Sequence, residues 1–250
     1  MIQSLQRGIE ALVILSKSGA MGITELAKEL DVDKSTASRL LATLRDCDMV
    51  QFVPSTRKYR LGFRILHLSE ALTRNLDVID VARPILKELS FALGQSVHLC
   101  MYNKKTVYVI DQVKSAQIYE MSAHVGMIEP MHASSVGKCI LAYRPSERMD
   151  EILEDYDFEC YTNNTISTKE RLLEELKMIR QRGYAIDNEE IAVGVRCVAA
   201  PIFDYRKRVF YSIGISGPVP LMSGEKVELF QKKLNVAATK IGREMGYQIK

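Results

Sequence analysis

Residues 23–44, ITELAKELDVDKSTASRLLATL, decide the fold of the first part of the chain. Ile23, Leu26, Ala27 and Leu30 fall at i, i+3, i+4 and i+7, and Ala37, Leu40, Leu41 and Leu44 repeat that spacing after the short break Asp31-Val32-Asp33. Two amphipathic helices joined by so tight a corner share one small core, with Thr24 and Asp33 placed to cap their starts. This is the pattern of a helix-turn-helix. A step of about 100° per residue puts Ser35, Arg39 and Ala42 opposite Ala37, flanked by Thr36 and Ser38. Small hydrogen-bonding residues around one arginine suit a helix that approaches base edges in a major groove. A solvated helical hairpin shares the same periodicity, so the flanking residues must decide between the two.

Upstream, residues 4–18 read as a helix that turns Leu5, Ile9, Leu12, Val13 and Leu15 towards this core and stops at Gly19. Downstream, residues 50–53 and 58–61 read as strands on either side of Pro54-Ser55-Thr56-Arg57. A basic hairpin just after a recognition helix is a wing, on which Arg57, Lys58 and Arg60 would hold phosphates or enter the minor groove. A hairpin that merely closes the domain is the plainer reading. Between residues 34 and 64, however, seven cations face two carboxylates, in a chain whose net charge is only +3. That local patch favours a phosphate-binding surface. The candidate contacts to double-stranded operator DNA are therefore Lys34, Ser35, Thr36, Ser38 and Arg39 on the helix and Arg57, Lys58 and Arg60 on the wing.

Residues 63–77 read as a linker helix whose apolar positions, among them Ile65, Leu66 and Leu68, exceed what an isolated helix leaves in water. A second copy of the chain is expected along it. A helix over 80–93 follows, with Pro84 near its start and Gly94 as its stop. Residues 97–103, 106–113 and 118–126 read as antiparallel strands. Helices are expected over 133–143 and 145–156, and from the capping box Ser167-Thr168-Lys169-Glu170 to Gly183. A hairpin over 196–203 and 209–216 precedes a last helix capped by Ser223. The order defines an α+β chain: a winged helix-turn-helix in 1–62, a linker helix in 63–77, and a sensing domain around an antiparallel sheet in 78–250.

With 250 residues and 47% hydrophobic content the chain can build two cores. No run approaches the roughly 20 apolar residues of a membrane span and no signal pattern opens the sequence, so a cytoplasmic, membrane-free protein is expected. Five cysteines, at 47, 100, 139, 160 and 197, are scattered without metal-binding spacing, which fits a reducing compartment and argues against a structural metal. Ser134-Ser135-Val136-Gly137 turns into a helix carrying Lys138, so the amides of Ser135, Val136 and Gly137 can meet a carboxylate at a positive helix end. A phosphate loop fails there, because His132 stands where the Walker pattern needs glycine. His98, His124 and His132 read as structural.

Together, ITELAKELDVDKSTASRLLATL, PMHASSVGKCILA (130–142), DNEEIAVGVRCVAAPIFD (187–204) and IGISGP (213–218) resemble the IclR family of bacterial transcriptional regulators over nearly the whole chain. The resemblance implies a repressor of a catabolic operon, working without a cofactor as a homodimer or homotetramer, with a GAF-like effector domain that binds a small organic acid. It implies effector contacts at Ser135, Val136, Asp187, Val195, Cys197, Gly214 and Ser216, with Ile118 and Met121 as an apolar wall. Gly214 stands where other members carry serine. The DNEE stretch resembles members that control sugar-acid catabolism, so a sugar acid or 2-oxo acid is the expected ligand. Two other functions share these residues: Cys197, Asp187 and a histidine are the ingredients of a cysteine-dependent hydrolase, and Cys197 or Cys139 could serve a thiol redox sensor. No local signature joins them.

Overall fold

The computed structural model describes residues 2–73, 77–115 and 123–247. The chain divides into two compact units, Met1–Leu76 and Asp77–Lys250.

The first unit contains α1 (Gln3–Ser18), α2 (Ile23–Glu29), α3 (Lys34–Asp46), β1 (Val50–Val53), β2 (Lys58–Leu61) and α4 (Arg64–Thr73). Its core is Ala11, Leu15, Leu26, Leu41 and Val50. The wing strands pair antiparallel from Val50↔Leu61 to Val53↔Lys58. Tyr59 exchanges both backbone hydrogen bonds with Met21, which ties the wing to the segment before α2. Asp33 caps α3, its carboxylate accepting from the Thr36 amide at 2.9 Å.

Two local expectations are corrected. Gly22, not Thr24, occupies the cap of α2, because the helix begins two residues earlier, and Glu25 reaches back to accept from the Gly22 amide at 2.8 Å. In α1 the buried side is Gly8, Ala11 and Leu15, whereas Leu5, Ile9 and Val13 form an exposed stripe with Ile2. Ala11 and Leu15 join the core cluster, and the second apolar stripe faces outward.

The second unit is built on a six-stranded antiparallel sheet. Its elements are α5 (Asp77–Leu93), β3 (Ser96–Asn103), β4 (Thr106–Val113), β5 (Ile128–Glu129), α6 (Ser135–Ala142), α7 (Met149–Leu153), α8 (Lys169–Arg182), β6 (Ala185–Asn188), β7 (Val195–Phe203), β8 (Val209–Pro218) and α9 (Gly224–Glu244). The strand order is β5-β4-β3-β8-β7-β6. Helices α6 and α8 share a buried cluster with Cys100, Val109 and Ala199 from the strands. Helices α5 and α9 pack on each other, α5 against β3 and β4 and α9 against β7 and β8.

Four expectations change in this unit. Helix α5 begins at Asp77, so Pro84 lies in its interior, where it withholds one amide from the helix ladder. Of the strand expected over 118–126, residues 118–122 lie outside the described residues and 123–126 are not a strand; the pairing is made instead by the two residues of β5. Residues 145–156 form a 3-10 turn, Ser146–Arg148, followed by the short α7. Thr168 caps α8, accepting from the Arg171 amide at 3.3 Å, so no box with Glu170 forms. The edge strand β6 was not expected, since its four residues AIDN carry too short an alternation to register. Among the described residues no helix is long and apolar enough to cross a membrane.

Candidate functional site

On the first unit, Lys34, Ser35, Ser38 and Arg39 are exposed on α3, and Arg57 and Arg60 on the wing; Thr36 and Lys58 are half-buried. Several of these side chains are already engaged within the unit. The Ser35 and Thr36 hydroxyls both donate to the Asp33 carboxylate, at 2.5 and 2.7 Å, which holds the Asp33 carboxyl well below the usual range. Lys58 Nζ lies 3.2 Å from Glu25 Oε1, and Arg60 donates to Gln51 Oε1 at 3.2 Å. Arg57 sits at the wing tip with φ of 55°. Lys34, Arg39 and Arg57 are exposed and form no ion pair among the described residues.

On the second unit the sheet register builds a polar row. Asp187 on β6 pairs with Cys197 on β7, which pairs with Ser216 on β8. Because side chains alternate across a sheet, residues directly opposite one another share a face. The start of α6 covers that face and leaves a cavity of about 70 Å³. Of the expected contacts, Ser135, Val136, Asp187, Val195, Cys197 and Ser216 line it. Gly214 does not. It pairs with His98 on β3, and the His98 ring lies against it. Ile118 and Met121 lie outside the described residues.

Seven residues that were not expected as contacts also line the cavity: His98, Ala123, Met127, Glu129, Ser134, Ile191 and Ala192. His98 shares a face with Ser216 through the β3–β8 register, which spacing along the chain does not give. Glu129 sits on β5, whose two residues are too few to show an alternation. The anion site also needs correction: the Gly137 amide is taken by the Ser134 hydroxyl at 3.0 Å, leaving Ser135 and Val136 as the donors of the helix start. Gly137 is required there, because a Cβ would come within 2.7 Å of Met131 Cα.

The cavity is acid-lined. Burial, then the nearby Asp187 charge, pushes the Glu129 carboxyl up to about 7, against the Ser134 hydroxyl that hydrogen-bonds it. Burial also raises Asp187, whose Oδ1 accepts from the Glu190 amide at 2.7 Å. Burial lowers His98 to about 4, so its imidazole is neutral. Lys138 is fully buried and forms an ion pair with Glu190 rather than lining the cavity. His132 is held by the Tyr156 hydroxyl and the Glu159 carbonyl, each at 2.9 Å, as a structural histidine is. The Cys197 thiol is pushed well up by burial and then by Asp187, and the Cys139 thiol is raised by burial. Neither is a ready thiolate. Among the described residues no group of three or more His, Cys, Asp or Glu side chains could hold a metal ion.

A winged helix-turn-helix on one unit and a lined cavity in an α+β second unit define a two-domain transcriptional regulator. Residues 4–54 match the IclR helix-turn-helix domain and residues 70–243 the bacterial transcriptional regulator IclR C-terminal domain; the chain belongs to the IclR family. It is 32% identical over 243 residues to the transcriptional repressor IclR of Escherichia coli (strain K12), covering 96% of this chain and 89% of that one. It is 32% identical over 246 residues to the HTH-type transcriptional regulator KdgR of Dickeya chrysanthemi, covering 98% and 81%. The crystal structure of the Thermotoga maritima IclR superposes with a TM-score of 0.77 at 29% identity, over 99% of this chain and 100% of that one.

Proposed function

We propose that this protein is a repressor of a catabolic operon, that 1–62 binds operator DNA through α3 and the wing, and that 78–250 binds a small organic acid that controls the binding. The observation that carries the reading is the cavity at the start of α6. Two helix-start amides there face a row of Asp187, Cys197 and Ser216, a setting in which a carboxylate meets the amides while its other polar groups meet the row. A volume of about 70 Å³ suits a short 2-oxo acid better than a sugar acid. The raised thiols speak against a hydrolase or a redox sensor at Cys197, and we read the chain as non-catalytic and cytoplasmic.

The protein acts as a homodimer, or as a tetramer of two such pairs, because half-sites about 34 Å apart require two recognition helices. The surface that supports this lies on the first unit: Ile2, Leu5, Ile9 and Val13 on and before α1, and Phe63, Leu66 and Leu68 on and before α4, are exposed. A thermal-shift screen of short 2-oxo acids against sugar acids tests the ligand class. A ligand at about 100 times its Kd adds about 2.7 kcal/mol of stability. Stabilisation by sugar acids alone contradicts the size argument, and stabilisation by neither class contradicts the cavity.

A further inference from the structure

Arg144 follows α6 at the end opposite the acid cavity, and it is an unusual arginine. It is 9% exposed, its Cζ stacks 4.7 Å from the Tyr102 ring centroid and 4.3 Å from that of Phe210, and its Nε has no hydrogen-bond partner among the described residues. A buried, hydrogen-bonding cation without a carboxylate is costly, and a native structure that keeps one needs a reason for it. Burial holds the guanidinium below its ordinary value, with Arg208 and Arg148 pressing in the same direction and Tyr102 and the Asp204 carboxylate opposing them.

The surroundings supply the reason. Met101 on β3 pairs with Tyr211 on β8, so the β3–β4 turn and the β7–β8 turn leave the sheet side by side. The first carries Lys104 and Lys105 and the second Lys207 and Arg208; Arg148 joins them from the turn before α7. Together they rim a cavity of about 620 Å³ with Arg144 in its wall. Two carboxylates offset them in part: Asp204 pairs with Arg208 at 2.8 Å, and Glu151 lines the cavity. Lys104, Lys105, Arg148 and Lys207 form no ion pair among the described residues. Lys104, Lys105 and Lys207 also adopt positive φ, of 46°, 66° and 57°, where glycine or asparagine is the easier choice.

We propose that this cavity binds a small molecule carrying two or more phosphate groups, at a site separate from the acid cavity at the other end of α6. The cations come from three chain segments and are spread over a volume too large for a single carboxylate. Arg144 presents a planar fork of the kind that pairs with phosphate oxygens. Tyr102 and Phe210 are covered, with Arg144 over both and Arg208 over Phe210 again, while Tyr143, the third ring of the lining, packs edge-on against Phe203. A duplex backbone does not fit: the deepest cation is buried in a concave wall that a rod cannot enter.

The test is calorimetry of the full chain with inorganic pyrophosphate, orthophosphate and sulfate as probes. Saturable pyrophosphate binding is expected, at least tenfold tighter than either single anion. Arg144→Met, and separately the exposed pair Lys104→Ala with Lys207→Ala, should each weaken it at least tenfold while leaving affinity for duplex DNA unchanged; the exposed pair keeps the test decisive should Arg144→Met misfold. No saturable binding at millimolar pyrophosphate would overturn the proposal. So would equal affinity in the exposed-pair variant, or loss of pyrophosphate binding in Arg57→Ala, which would place the anion on the wing.

Discussion

Gly214 on β8 lies opposite His98 on β3, and a Cβ at position 214 would stand 2.7 Å from the imidazole Nε2 and 2.7 Å from Val136 Cγ1. The space a side chain at 214 would need is thus held by the histidine of the neighbouring strand, which itself lines the cavity. Gly214→Ser should cost about 1 to 3 kcal/mol through overpacking and weaken ligand binding by displacing His98. The double variant Gly214→Ser, His98→Ala should recover most of the stability. Chemical denaturation of the three proteins checks this, and a single variant as stable as the parent would contradict the geometry.

Glu129 sets a pH dependence. Its folded-state pKa of about 7 lies above the ordinary 4.5, so the folded chain holds this proton more tightly than the unfolded one. The contribution is therefore fully present below pH 4.5 and is lost as pH rises towards 7. Glu129→Gln should remove that part of the slope and gain on the order of 3 kcal/mol at pH 8. An anionic ligand in the same cavity favours the protonated carboxyl, so its affinity should fall as pH rises past 7. Denaturation midpoints from pH 5 to 8 that run parallel in parent and variant would rule the effect out.

The buried Lys138–Glu190 ion pair predicts strong asymmetry between single and double substitutions. Lys138→Ala strands a buried carboxylate and should cost about 3 to 5 kcal/mol, whereas Lys138→Met with Glu190→Leu should lie near the parent. Urea titration distinguishes these. Additive losses in the double variant would mean that the pair is not coupled.

The sequence was most legible where one period ran uninterrupted. Ala37 and Leu41 fixed the buried face of α3 and therefore the outward position of Arg39, and the alternation in 196–203 and 209–216 fixed a hairpin. It was least legible where two signals overlapped or a strand was very short. Helix α1 carries two apolar stripes, and the one that faces inward, through Ala11 and Leu15, is the less apolar of the two. Strand β5 has two residues, so Glu129, which gives the cavity its acidity, had no pattern to announce it. The Asp187, Cys197 and Ser216 row became a geometric fact only through strand register, which spacing along the chain cannot supply.

On the wing, Arg57→Ala should weaken all duplexes alike and lower the slope of log affinity against log salt by about one. Lys58→Ala should do less, because Glu25 already holds that ammonium at 3.2 Å. Anisotropy titrations on random duplex across a salt series measure both. A larger loss for Lys58 than for Arg57 would reverse the assignment.

The most direct test of the whole account is in vitro selection of duplexes from a random pool by the full chain, followed by titration of the selected duplex against scrambled DNA with parent protein and Arg39→Ala. The account predicts enrichment of a two-half-site sequence whose preference over scrambled DNA falls about ten- to a hundredfold in Arg39→Ala, the worth of one bidentate base contact of roughly 1 to 3 kcal/mol. Failure to enrich any sequence, or an equal loss on selected and scrambled duplex, would contradict it.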